Sequence, residues 1–179
     1  MTFEGLRQAA LTFFGDLGAW AYDEWDRLNR LYFANGNKVG PVLWGLTPHG
    51  RSLGYYSSAN NIIFLHQSLV EPSTEAPWGM EYLNKLVASD VLLHEMIHQK
   101  ISQDGGWFDG NSSHNNEMWV AEVNRLAPLM EMNVRASICK QKRVDGKRLW
   151  LPDDGCIDRS RLARFPRSCR SKDYYNGVT

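Results

Sequence analysis

Between Met80 and about Ser102 the chain contains neither glycine nor proline, and Leu83, Leu86, Val87, Leu93, Met96, Ile97 and Ile101 cover most of a helix circumference. A helix that is apolar on nearly every side must lie inside the protein. The rest of the chain has to supply the elements that bury it.

Upstream, residues 3 to 15 carry apolar groups at helical spacing, and Tyr22, Trp25, Leu28, Leu31 and Tyr32 repeat at three and four through "AYDEWDRLNRLYF". This predicts an N-terminal amphipathic helical region that Asn35-Gly36 ends. "KVGPVLWGLTP" (38 to 48) is punctuated by Gly and Pro and suits an edge or bulged strand. "SLGYYSS" and "NNIIFLHQSLV" follow, with Ser58-Ala59-Asn60-Asn61 as the turn between them. Three short strands in a small, mainly antiparallel sheet are expected, followed by a loop over 71 to 79. After the buried helix, Asp104-Gly105-Gly106 breaks the chain, and Asn111, Ser112 or Ser113 can cap a further helix to about Met132, kinked or shortened by Pro128. The expected fold class is α+β.

With 179 residues, 43% hydrophobic and 22% charged, the chain fits one globular domain with a terminal extension rather than a disordered protein. Its zero net charge hides a division: residues 1 to 134 hold 8 Lys/Arg against 15 Asp/Glu, and residues 135 to 179 hold 12 against 5. The chain is divided accordingly into a domain over 1 to 134 and a basic C-terminal extension over 135 to 179. Lys140, Lys142, Arg143, Lys147 and Arg148, then Arg159, Arg161, Arg164, Arg167 and Arg170, are interleaved with Trp150, Phe165 and Tyr174. Basic groups contact phosphates and aromatic rings stack on unpaired bases, so the extension is a candidate DNA-binding arm. A tail docked on its own acidic domain satisfies the same numbers.

Cys139, Cys156 and Cys169 are an odd number with no C-x-x-C pair, which points to reduced thiols and excludes a cysteine-rich zinc ribbon. The N-terminus places Glu4 and Asp16 among short apolar groups and reads as neither signal peptide nor membrane anchor. A cytoplasmic protein with no membrane association is expected.

Within the buried helix stands "LLHEMIHQK" (92 to 100). Residues four apart on a helix stack on one face about 5–6 Å apart between Cβ atoms, so two imidazoles there converge on one ion at Zn–N of about 2.0–2.1 Å. His94 and His98 meet that condition. Glu95 is turned about 100° from His94 and can reach a water in the open coordination position as general base. Two unpaired imidazoles in a nearly all-apolar helix would be costly to bury, and a shared cation removes that cost. Zn2+ is the expected metal.

A catalytic zinc needs a third protein ligand. The metzincin position six residues past the second histidine holds Asp104, but Ile101 stands where that pattern has glycine. A glutamate from a following helix would be Glu117 or Glu122. His114, at the start of the next helix after a glycine-rich loop, is the better candidate. His49 and His66 have no such partners and read as structural or surface groups.

"DVLLHEMIHQ", followed by a loop and "HNNEMWVAEVNRL", resembles the SprT-like metalloproteases, the group containing Spartan. "WDRLNRLYF" looks like the family's leading helix, and "VGPVLWGL" and "LGYYSSANNIIFLHQSLV" like its strands, so the resemblance covers roughly residues 20 to 133. It implies a zincin-like core with His94 and His98 as helix ligands, Glu95 as the catalytic glutamate and His114 as third ligand. It also implies a zinc-dependent endopeptidase acting on proteins bound or crosslinked to DNA, with nucleic acid as activator. Two departures stand out: Asn115 follows His114 where the family usually has glycine, and the four-cysteine ribbon of many bacterial members is missing. The competing class is a non-proteolytic, DNA-associated binding module on the same scaffold. Glu95 argues against it, because a structural zinc needs no general base and normally has four protein ligands.

Overall fold

The first helix, α1, runs from Phe3 to Phe33 and begins at a Thr2 cap, whose hydroxyl accepts from the Gly5 N–H at 3.2 Å. It is not straight. A rise of 1.5 Å per residue would hold Phe3 and Tyr22 about 28 Å apart, yet their ring centroids lie 5.8 Å apart. Arg7 pairs with Asp23 at 2.7 Å across the same seam. The break is Gly15, at φ 60 and ψ −150, a combination open essentially to glycine alone. The two stretches of helical spacing in the sequence are thus the arms of an antiparallel helical hairpin. Its second arm ends at Phe33 with Ala34 in the left-handed region, and the Asn35 N–H returns to the Asn29 carbonyl at 3.1 Å.

This computed structural model describes residues 2–47, 52–70, 85–105, 117–126, 129, 139–144 and 147–152. Three short strands follow α1: β1 (Val42–Gly45), β2 (Gly54–Ser57) and β3 (Ile62–His66), in the order β1-β3-β2. β2 and β3 form the expected hairpin, pairing Gly54 with Leu65 and Ser57 with Ile62, and Asn61 in the turn takes φ 54. The mainly antiparallel sheet expected from the sequence needs correction, because β1 pairs with β3 in parallel, Val42 opposite Ile63 and Gly45 opposite His66. The chain reverses once after β1 and again at the β2–β3 turn, which restores its direction. The sheet is mixed, with β1 on an edge as its glycines and prolines suggest.

The outer edge of β1 is covered by α1. The Tyr22 hydroxyl receives the Val42 N–H at 3.0 Å and donates to the Gly40 carbonyl at 3.3 Å. On β3, Ile63 and Leu65 face the core, and a single 3-10 turn, Gln67–Leu69, follows.

The second helix, α2 (Lys85–Gln103), is the buried centre that the sequence demands. Ala88, Val91, Leu92, Leu93, Met96 and Ile97 join α1, β1, β2 and β3 side chains in one core. Residues 80–84 of the expected helix lie outside the described residues. The third helix, α3 (Glu117–Leu126), buries Trp119, Val123 and Leu126 at helical spacing, and the expected kink or end at Pro128 lies outside the described residues. The expected continuation over 130–132 lies outside the described residues. Arg125 ties α3 to the end of α1, donating to the Tyr32 carbonyl at 2.6 Å with its guanidinium 5.9 Å from the Phe33 ring centroid.

A buried amide network locks α2 in register. Gln99 accepts from the Trp25 indole N–H at 3.1 Å and donates to the Lys38 carbonyl at 3.2 Å and Asn61 Oδ1 at 2.9 Å. In the basic extension, β4 (Cys139–Val144) and β5 (Lys147–Pro152) pair with each other in an antiparallel hairpin. Among the described residues no helix is long and apolar enough to cross a membrane. The described architecture is α+β, three helices around a small mixed sheet.

Candidate metal centre on the buried helix

His94 and His98 lie one turn apart on α2, and their Nε2 atoms stand 3.2 Å apart. Two nitrogens bound at about 2.05 Å around a tetrahedral ion would be separated by about 3.3 Å. The pair therefore has the spacing of two ligands to one metal. The rings are edge to face, with centroids 4.9 Å apart. His94, Glu95 and His98 are 4%, 4% and 8% exposed, so these polar side chains sit almost wholly inside. Their ligating atoms all lie within 4.8 Å of one another, a group able to hold a metal ion.

Trp119 of α3 closes one side of the pair. Its ring stacks on His98 at 4.5 Å and 29° and tilts against His94 at 4.8 Å and 57°. Aromatic walls of this kind limit ring rotation and keep water from the nitrogen donors.

Glu95 faces the sheet. Burial pushes its carboxyl up to about 8, and a hydrogen bond from the Tyr56 backbone N–H pulls in the opposite direction. A cation beside the histidines would favour the ionised form as well. The same residue approaches Gly54, where an added Cβ would lie 2.6 Å from Glu95 Oε1 and 2.6 Å from Val91 Cγ1. The Tyr56 side chain is a packing group, buried, with its hydroxyl donating to Asn61 Oδ1 at 3.2 Å.

Of the third-ligand candidates, His114 lies outside the described residues. Asp104 does not join the group: its side chain is 51% exposed and takes Lys100 Nζ at 2.7 Å. Glu122 is engaged by Arg125 at 2.6 Å, and Glu117 is exposed in the first turn of α3. Neither belongs to the group. His66 is structural, fully buried with Nδ1 2.7 Å from Ser68 Oγ, whereas His49 lies outside the described residues.

Gly54, the Tyr56 amide and the Trp119 ring packing are the parts of the site that sequence reasoning missed. The contacts of Gly54 and Tyr56 with α2 join residues about forty positions apart, and no local pattern encodes them. Comparison with protein-family models, with curated proteins and with solved structures gave no match.

Proposed function

We propose that the chain is a zinc-dependent endopeptidase of SprT-like type on a zincin-like core, with His94, His98 and His114 as ligands and Glu95 as general base. The observation that carries this is the pair of Nε2 atoms 3.2 Å apart on a buried helix with a buried glutamate beside them. Bound zinc would lower the pKa of a water to about 7 and polarise the scissile carbonyl. His94 and His98 serve as neutral donors, each offering a ring nitrogen lone pair. Glu95 would take the proton of the attacking water on its carboxylate and pass it to the leaving amine; burial disfavours the ionised form this needs, and a cation held by the neighbouring histidines would favour it.

Chain geometry supports His114 as third ligand. It precedes Glu117 by three residues, a span of at most about 11 Å, and Trp119 of the same helix lies against both ligand rings. The substrate would be an extended polypeptide added along β2, an edge strand of the sheet, giving backbone-directed and loosely sequence-selective binding. Since Glu95 holds the Tyr56 amide, pairing would run from Gly54 toward Ser52 and bring the substrate up to the carboxylate. Proteins bound or crosslinked to DNA are the proposed substrate class, with the basic extension as the DNA contact. Its β4–β5 hairpin carries Lys140, Lys142, Arg143, Lys147 and Arg148 in paired strands, a density of basic residues that suits a polyanion.

Casein cleavage and self-cleavage with and without single-stranded DNA test the reading, comparing wild type, Glu95→Gln and chelator-treated protein. Cleavage by wild type alone is expected. Equal cleavage by wild type and Glu95→Gln, or none by wild type under any metal condition, would sink it. Zinc content after His114→Ala and after Glu117→Ala tests the third ligand, and zinc loss only in the glutamate variant would overturn the assignment. Deletion of residues 136–179 should abolish salt-dependent DNA binding, and unchanged affinity would remove the role of the extension.

A further inference from the structure

We propose that β2 is a backbone clamp for Glu95, in which the bare Cα of Gly54 sets where the side chain lies and the Tyr56 N–H sets how its carboxylate is turned. Gly54 is then a positioning residue for the base, and its effect on catalysis rests on the peptidase reading above.

The His66 N–H donates to the Leu53 carbonyl at 2.8 Å, so Leu53, Tyr55 and Ser57 direct their backbone groups to β3 while Gly54 and Tyr56 direct theirs outward. Val91 and Glu95 are four apart on α2 and form one ridge. That ridge packs against the face from which a Gly54 side chain would project, next to the outward amide of Tyr56. A Cβ on Gly54 would lie 2.6 Å from Val91 Cγ1, 2.6 Å from Glu95 Oε1 and 2.9 Å from Glu95 Cγ. Neither histidine supplies any of these three nearest atoms, and His94 and His98 stand on the helix about 100° and about 60° away from Glu95. One helix thus offers its candidate metal ligands on one ridge and its base on the next, and the base is the group that meets Gly54 and the Tyr56 amide.

Each part of the clamp removes a different freedom. Contact with the strand at Gly54 confines the Glu95 stem. The hydrogen bond from Tyr56 fixes rotation about the last side-chain bond, a torsion that is otherwise broad. A general base has to be held within hydrogen-bond reach of the proton it abstracts, so a methyl group at position 54 should cost catalysis without costing metal.

Gly54→Ala alone would clash with two side chains, so the test is made in a Val91→Ala background, where Glu95 is the clash that remains. Val91→Ala should keep kcat within about threefold of wild type, because a valine side chain neither ligates a metal nor moves a proton. Gly54→Ala with Val91→Ala should keep one zinc per chain, the KM for casein and a melting temperature close to that of Val91→Ala. Its kcat should fall by about 100-fold, the lower end of what a general base contributes. A crystal structure of the double variant should show the Glu95 carboxylate displaced by about 1 Å or more with His94 and His98 unmoved. An unmoved carboxylate, or an unchanged kcat in the zinc-loaded double variant, overturns the clamp. If wild type cleaves nothing, the peptidase reading fails by itself, and the carboxylate position still decides the clamp.

Discussion

Glu95→Gln should stabilise the metal-free protein, and increasingly so as the pH rises. Glu95 is 4% exposed, and its carboxyl stands at about 8 against an ordinary 4.5 because burial penalises the charge. A value raised by folding means that the folded chain binds this proton more tightly than the unfolded chain does. The contribution of the group is complete below pH 4.5 and is withdrawn as the pH rises to about 8. The slope approaches about 1.4 kcal/mol per pH unit, and between about pH 5 and pH 8 the loss comes to about 3 kcal/mol. Against a typical domain stability of about 5–15 kcal/mol this is a large share. Glutamine keeps an acceptor for the Tyr56 N–H and carries no charge, so its stability should lack this slope. The assay is urea denaturation of both proteins in chelator across that pH range. The advantage of the variant should grow by about 3 kcal/mol from the acidic to the basic end. A wild-type-to-variant difference that stays flat with pH would refute the burial argument.

Three further outcomes are expected. Gln99→Leu strands the buried Trp25 indole N–H, while the Lys38 carbonyl keeps Gln103 Nε2 at 2.9 Å, and should cost about 1–3 kcal/mol in urea denaturation; a loss below about 0.5 kcal/mol would show the network to be dispensable. Gly15→Ala forces a side chain onto φ 60 and ψ −150 and should cost about 1–3 kcal/mol, seen as a melting temperature lower by several degrees, whereas an unchanged value would contradict the sharp turn between the arms of α1. Trp119→Leu removes the ring packed on His94 and His98 and should weaken zinc binding about tenfold in chelator competition; unchanged affinity would mean that the ring does not hold the ligands.

What could be read from the sequence follows the range of the interactions that decide each element. The α2 helix announces itself because an apolar run without Gly or Pro has one stable form, and His94, Glu95 and His98 take their relation from the pitch of that helix alone. The β2–β3 hairpin is equally local, set by four turn residues between two apolar runs. The parallel pairing of β1 was not legible, since strand direction depends on how often the chain reverses between partners. Nor was the fold-back of α1 at Gly15, where a continuous helical pattern on both sides gives no hint that Phe3 meets Tyr22. Ala34 rather than Asn35 takes the first left-handed position after α1 because the backbone hydrogen bonds of the cap, not the preference of one residue, decide the end. The β4–β5 hairpin was not legible either, because "CKQKRV" and "KRLWLP" lack the apolar-polar alternation that marks a half-buried strand.

Tyr22 on β1 has a wider consequence. A three-stranded sheet has two open edges, and open edges invite pairing between molecules and, in the end, fibrils. Here each edge is stoppered by one side chain from a helix, the Tyr22 phenol on β1 and the Glu95 carboxylate on β2. The stoppers differ in kind. The phenol occupies both a donor and an acceptor of its edge, the Val42 N–H and the Gly40 carbonyl, whereas the carboxylate takes the Tyr56 N–H and leaves the backbone groups of Gly54 directed outward. The β1 edge is thus closed at a donor and an acceptor together, and protection of the β2 edge from unwanted pairing falls to a single carboxylate, so that exchanging Glu95 touches the solubility of the chain as well as its chemistry.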